Sequence, residues 1–598
     1  MDDNHLLDDE SHASVAPLDS WHADVTDVSP KKHRFKRTTA VEYAARYANA
    51  CSLRAFTVGL ALVCTAFLGA INYFELSIAL RGSTESNTVH AVSAIANNTL
   101  ASTTGCAESN AIHSLPDVEN TPSPASTATS TESKAIDELP ATADDMLASI
   151  DFVPNHVIYP PSVFSSSLAE PIALEDTLHQ AMLHETCMKH TESIIEWQYA
   201  LNNNMSSTYL TDRDDPDLYN KIRQCPDVDI FHPGGIRGHG YCEDSVAYLK
   251  YLESRLLPQW VLEDSFEDPV SKKKYRYYEL CPKTPVIMFN YYWFHDRADW
   301  PSTKKLYVMP NIEMGQLQAP QYWSADVILC KTAICARRST KWFKQNGNPR
   351  KTRVFYTRHS SSDIATLAKW RSGEKVVKDF SNVVFVHASG ASPFKGTHQV
   401  FGCWMSRPDF PPLKVVINRD QYNGNYKQQW DYRVQESNGR VQVHVDGMDA
   451  QQYGTLLADT SYMLCPSTME GYGHYLNQAR AAGALIVTTD LPPMNEFLNP
   501  ESGVLVRVSR RTDPGMLLSG GFEGEHGLKE DEGGLIGDFS AGDLCDAVDR
   551  LLKLGIAERE AMAARSRKQY DIDTRFFAAR MRELRTFAIL EAGRSDDY

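Results

Sequence analysis

From Cys225 onward, short β-branched and apolar runs alternate with helical stretches, and this alternation restricts the fold more than any other feature of the chain. Strands that read as near-continuous apolar runs are buried on both faces, which calls for a parallel sheet covered by helices on each side. The first set of runs is DIFH, VIMFNYYW, LYVMP, DVILC and RVFYT. A polar helical stretch from Ala365 to Gly373 separates it from a second set, NVVFVHA, KVVIN, QVHVDG, YMLCPS, ALIVTT and VLVRV. The expected architecture is therefore α/β, with two Rossmann-like domains, 171–375 and 376–598, and a central cleft. Between Leu174 and about Gln224 the pattern is helical, as in SIIEWQYAL, whose apolar residues share one helix face. Long amphipathic helices from Leu544 to Ile589 close the chain.

The first third of the chain has a different character. Ala55 to Phe74 is an uncharged run of roughly 20 residues, enough helix to cross a ~30 Å hydrocarbon core. A core helix would show a polar face, and a cleaved signal peptide would be shorter and nearer the start. Lys31, Lys32, Arg34, Lys36, Arg37, Arg46 and Arg54 precede the run, whereas little beyond Arg81 follows it. The positive-inside bias then makes 1–54 a cytoplasmic tail and 55–74 a transmembrane signal anchor. The expectation is a single-pass type II protein of the Golgi or endoplasmic reticulum membrane, with its folded part lumenal. Residues 75–170 form a predicted disordered stalk, whose Ser/Thr/Ala/Pro-rich stretch NTPSPASTATSTES suits O-glycosylation. Two sequons follow the run, at Asn97 and Asn204.

Of the 12 cysteines, the nine from Cys187 onward lie in the folded part, so at least one stays free or pairs between molecules. Spacing assigns no pairing, and Cys330 and Cys335 read equally well as a disulfide or as two buried thiols. The net charge of −16 lacks the basic footprint of a nucleic-acid binder.

The sharpest chemical signal runs from His444 to Phe497. A strand ending in Pro466-Ser467 leads into Glu470-Gly471-Tyr472-Gly473 and then a helix rich in small residues. Glycines at 471 and 473 let the backbone approach a ligand, and the helix start near His474 to Leu476, Tyr475 included, offers N–H groups to a diphosphate. Glu470 would accept hydrogen bonds from sugar hydroxyls. Upstream, NVVFVHA runs into Ser389-Gly390-Ala391-Ser392-Pro393-Phe394-Lys395-Gly396, a glycine-flanked loop of the kind that holds anions.

This segment resembles the donor-binding half of the retaining glycosyltransferases of the GT-B fold. There an acidic residue, a Gly-aromatic-Gly loop and a second acidic residue eight positions on grip a nucleotide-sugar. The resemblance implies that Glu470 contacts the donor sugar, while Gln478 stands where the ribose-binding acid would be. Lys395 and Gly396 match the phosphate-holding loop, but the family's Arg falls on Ala391, so Arg358 or Arg237 would share the charge. Asp446-Gly447-Met448 is similar to the turn that lines the base. In the first domain, which the resemblance makes the acceptor domain, the loop from Gly234 through Gly235 to Gly240 would face the diphosphate. His295, after NYYWF, is a candidate for the reaction centre.

The implied activity is transfer of a sugar, with retention, from a nucleotide diphosphate donor to a glycan or lipid acceptor. The nucleotide-sugar is a co-substrate, and neither a cofactor nor a metal is expected. The Asp227-Val228-Asp229 segment suggests a metal-dependent rival, but Asp229 begins a strand rather than ending one. Two further rivals are a catalytically inactive, membrane-anchored glycan-binding or scaffolding protein, motivated by Gln478 and Ala391, and a sugar epimerase of the same fold.

Overall fold

A computed structural model describes residues 170–290, 300–529 and 533–593. The predicted tail, signal anchor and stalk lie outside the described residues, as does His295. Among the described residues no helix is long and apolar enough to cross a membrane.

The first lobe opens with helix α1 (Leu174–Lys189), followed by β1 (Ile194–Glu196), β2 (Leu210–Thr211), β3 (Asp229–Phe231) and helix α2 (Cys242–Tyr251). After these come β4 (Arg255–Leu257), β5 (Val286–Phe289), β6 (Leu306–Met309), β7 (Val327–Cys330), helix α3 (Ala333–Asn346) and β8 (Arg353–Tyr356). They build an 8-stranded sheet in the order β8-β7-β6-β5-β3-β4-β1-β2. The strands from β8 to β4 are parallel, whereas β1 pairs antiparallel with β4 and β2. Every residue of β5, β6 and β7 is buried, as their all-apolar runs require.

The helical reading of SIIEWQYAL is corrected here. Ile194–Glu196 is a strand between β4 and the edge strand β2, and its two buried isoleucines pair with Thr211 and Leu256. Two adjacent β-branched residues fit a pleated strand better than a helix turn. The helix expected from Leu174 onward ends at Lys189. The Asp-x-Asp segment is structural. Asp229 is paired with Arg255 at 2.8 Å and accepts from Tyr277 Oη at 2.6 Å, while Asp227 meets Arg585 at 2.7 Å.

A connector helix, α4 (Ile364–Arg371), leads into the second lobe. There β9 (Phe385–Gly390), helix α5 (Thr397–Ser406), β10 (Leu413–Ile417), β11 (Val441–His444), helix α6 (Ala450–Asp459) and β12 (Tyr462–Cys465) come first. Helix α7 (His474–Ala481), β13 (Leu485–Thr489), helix α8 (Met494–Phe497) and β14 (Val504–Val506) complete it. Its 6-stranded sheet is parallel throughout, in the order β11-β10-β9-β12-β13-β14.

Helix α9 (Ala541–Lys553) packs on this sheet, and helix α10 (Ile556–Glu591) runs 36 residues, about 54 Å at 1.5 Å per residue. Helix α10 crosses back to the first lobe, where Phe577 packs edge-on against Tyr248 and Arg580 donates to Tyr356 O at 3.0 Å. A second crossing was not foreseen. Between β15 (Arg510–Thr512) and β16 (Ile536–Asp538) the chain leaves the second lobe, and Leu517, Leu518, Leu528 and Leu535 enter the first lobe's core.

Disulfides join Cys187 to Cys242, Cys225 to Cys281, Cys330 to Cys335, and Cys403 to Cys545. Cys465 is the free, buried cysteine among the described residues.

Candidate functional site

In a doubly wound sheet the crevice opens where neighbouring strands send their helices to opposite faces. In the second lobe that point lies between β9 and β12, which pair directly through Phe385 and Tyr462 although they are first and fourth in chain order. The loops leaving these two strands are pressed together. Gly396 has φ +68°, and a Cβ on it would lie 2.1 Å from the carbonyl oxygen of Pro466. Thr468 N–H donates to Phe394 O at 2.7 Å across the same contact.

Lys395 and Glu470 meet here in an ion pair. Glu470 Oε1 also accepts from Ser467 Oγ at 2.6 Å, and Ser467 Oγ pairs with Tyr475 Oη at 2.5 Å. The Lys395 ammonium sits 4.1 Å from the centroid of the Tyr475 ring, a desolvated cation–π contact. Both charged side chains keep a little exposure, 14% and 12%, so an anion can still reach the lysine.

The Gly471–Gly473 loop turns the chain into α7 through Gly473, at φ +89°, which caps the helix. His474, the first helical residue, bridges lobes: Nδ1 pairs with Ser361 Oγ at 2.9 Å and Nε2 with Asp244 Oδ1 at 3.0 Å. Asp244 also accepts from Lys331 Nζ at 2.8 Å. Burial alone would raise the Asp244 carboxyl, but Lys331, His474 and His359 hold it well below the usual carboxylate range. Tyr472 Oη donates to His359 O at 2.9 Å, and Gln478 Nε2 donates to Glu243 Oε1 at 2.6 Å. Gly240, at the end of the first lobe's glycine loop, is near enough that a Cβ there would stand 3.5 Å from His474 Cδ2.

The structure thus places Lys395, Gly396, Glu470, Gly471, Tyr472, Gly473, His474, Tyr475 and Gln478 together on the loops after β9 and β12 and on the helix that follows. Gly390 ends β9 exposed, at φ +56°. Exposed Gly447 and half-buried Met448 follow β11, two strands away from β9. Gly235 is exposed in a short turn.

Arg237 and Arg358 depart from expectation by turning inward. Arg237 donates to the carbonyls of His232, His190 and Ser193 at 3.1, 2.6 and 3.4 Å, and burial lowers its guanidinium to about 10. Arg358 is buried against Asp573 of α10 at 2.9 Å. Both guanidiniums satisfy interior acceptors, which a buried cation requires.

Four residues of the site escaped the sequence reading as functional candidates: Ser467, Asp244, Lys331 and Glu313. Glu313 follows β6, and a Cβ on Gly471 would lie 2.3 Å from its Oε1 and 2.5 Å from its Oε2. Its Oε2 is buried without a hydrogen-bond partner, and burial pushes its carboxyl up to about 7. The available signal was an acid just past the C-terminal end of a parallel strand, where such sheets place ligands.

Asp244, His359 and His474 offer atoms within 4.8 Å of one another, a spacing a metal ion could use, although the Lys331 ammonium already occupies the carboxylate. Cys187, His232 and Cys242 also converge, but those cysteines are joined to each other.

No protein-family model matches the chain, and no curated protein sequence does. Several solved structures are similar to it at low identity. Sucrose-phosphate synthase from Thermosynechococcus elongatus shares 12% identity over 57% of this chain and 84% of that one, with a TM-score of 0.37. Trehalose-6-phosphate synthase OtsA shares 9% over 62% and 99%, with a TM-score of 0.41. Anabaena Alr3699/HepE, solved in complex with UDP, shares 12% over 48% and 72%, with a TM-score of 0.33. At such values the fold rests on the two sheets themselves, one parallel throughout and one parallel from β8 to β4.

Proposed function

We propose that this protein is a glycosyltransferase that moves a sugar from a nucleotide diphosphate donor to a glycan or lipid acceptor, with retention at the anomeric carbon. The observation that carries the reading is the meeting of Lys395 and Glu470 at the switch point of the second sheet. A donor diphosphate entering there would compete with Glu470 for the Lys395 ammonium and lie along the N-terminus of α7, where the helix dipole favours an anion. Released from the lysine, Glu470 would turn its carboxylate to the sugar hydroxyls. Lys395 and the start of α7 would then stabilise the leaving diphosphate, and the reading calls on neither metal nor cofactor.

The same reading makes the chain a type II membrane protein of the Golgi or endoplasmic reticulum. The apolar run at 55–74 motivates the anchor, and the disulfides of the folded part suit an oxidising lumen. The test is donor turnover by the full-length protein, with Lys395→Ala and Glu470→Ala beside it. Loss of turnover by more than about 100-fold in both variants is expected, a typical cost for preorganised electrostatic groups. Turnover equal to the parent's in both would end the assignment.

A second reading, a non-catalytic glycan-binding or scaffolding protein on this fold, draws support from the engagement of Gln478 by Glu243 at 2.6 Å and from Ala391 in place of an arginine. Calorimetry separates the two, because the second reading expects no affinity for UDP or GDP.

A further inference from the structure

The loop after β6 is braced so that Glu313 has little freedom. Asn290 Oδ1 accepts from Asn311 N–H at 3.0 Å, and Asn290 Nδ2 donates to Gln316 Oε1 at 2.9 Å. Asn311 Nδ2 donates to Tyr241 Oη at 3.3 Å, and Met314 N–H closes the turn onto Asn311 O at 3.0 Å. The Glu313 carboxyl is thereby pressed against Gly471, the residue next to Glu470, where only a glycine leaves room for it. Its Oε2 is out of solvent and without a partner, a state that costs stability unless something else supplies a donor.

The nearby cations do not neutralise this end of the site. Lys331 is shared with Asp244 at 2.8 Å, and on the reading above Lys395, paired with Glu470 in this structure, is taken by the donor diphosphate.

Resting on the nucleotide-sugar reading above, we propose that Glu313 and Glu470 form a two-carboxyl grip on the donor sugar, one from each lobe, which selects a neutral, hydroxyl-rich sugar and excludes an anionic one such as a uronate. Two carboxyls offer several acceptor positions to sugar hydroxyls, whereas a third carboxylate on the ligand finds like charge and no free donor.

The test uses the full-length protein and calorimetry near neutral pH. The probes are UDP and GDP, then UDP-glucose against UDP-glucuronate and GDP-mannose against GDP-mannuronate. The neutral donor is expected to bind at least about tenfold more tightly than the uronate on the same nucleotide. Glu313→Gln should leave the bare nucleotide within about twofold of the parent and cut that discrimination to about threefold or less, while Glu313→Asp retains it. Equal affinity for neutral and uronate donors in the parent, or undiminished discrimination in Glu313→Gln, overturns the grip. If the parent binds neither bare nucleotide, the proposed function itself fails and the grip falls with it.

Discussion

Glu496, in the second lobe, closes the N-terminus of α3 in the first: Ala333 N–H and Ile334 N–H donate to its two carboxylate oxygens at 2.7 and 2.8 Å. A helix start buried without a cap would leave these donors orphaned, so one lobe completes the secondary structure of the other. Glu496→Ala removes both acceptors and is expected to destabilise the fold by about 2–3 kcal/mol, the scale for hydrogen bonds to a charged group lost in the interior. Thermal unfolding followed by circular dichroism checks this, and an unchanged midpoint would show that the contact between lobes contributes nothing.

Glu313 gives the protein a pH dependence whose sign is fixed. Burial raises its carboxyl from 4.5 to about 7, so between those values the folded chain holds a proton that the unfolded chain has lost. Stability from this group is full below about pH 4.5 and is lost as the pH rises through about 7. Glu313→Gln cannot ionise, and its advantage over the parent should grow across that window, to at most about 3 kcal/mol. The unfolding midpoints of both proteins, compared at acid and at mildly alkaline pH, read it directly. A difference that does not vary with pH would refute the assignment.

Gly396→Ala tests the close approach of the two loops at the switch point. Positive φ alone costs an L-residue about 1 kcal/mol or more, and the new methyl would also meet Pro466 O at 2.1 Å. Since the clash is with backbone, the loops must separate and carry Lys395 away from Glu470. Reduced thermal stability together with lost nucleotide binding is expected. A variant that binds like the parent would mean that the loops move independently.

The strands were legible because both faces of each are buried, so their sequence is nearly all apolar: VIMF, LYVM and VILC could hardly be anything else. Ile194–Glu196 was read as helix because a strand of three residues is too short to show a period, and its partner at Arg255 is distant in sequence. Glu470 and Lys395 could be singled out because glycines flank them. Arg237 and Arg358 misled because a charged residue just past a strand looks the same whether it faces a ligand or interior acceptors. Glu313 was overlooked because its role depends on the opposite lobe, through Gly471, and no spacing along one chain segment reports that.

Cysteine chemistry offers an independent check on the fold. Peptide mapping without reduction should recover Cys187 linked to Cys242, Cys225 to Cys281, Cys330 to Cys335, and Cys403 to Cys545. Cys465 should be alkylated only after denaturation, because it is fully buried and burial pushes its thiol far above the usual range. Rapid labelling of native Cys465 would place β12 at a surface and remove the crevice that β9 and β12 define.

The excursion between β15 and β16 is held to α3 by side chains that reach its backbone. Arg338 donates to Leu518 O at 3.0 Å and to Gly533 O, and Trp342 Nε1 donates to His526 O at 2.6 Å. Bonds to backbone carbonyls hold a segment whatever its side chains are, so the two α3 residues matter more than the sequence they clasp. Arg338→Ala should release the excursion and speed its cleavage in limited proteolysis by about tenfold, equivalent to about 1.4 kcal/mol of local opening. Trp342→Phe, which keeps the ring packing but loses the N–H, should show a smaller increase. If Arg338→Ala resists protease as the parent does, the leucines buried in the first lobe's core hold the segment unaided, and the polar clasp is incidental.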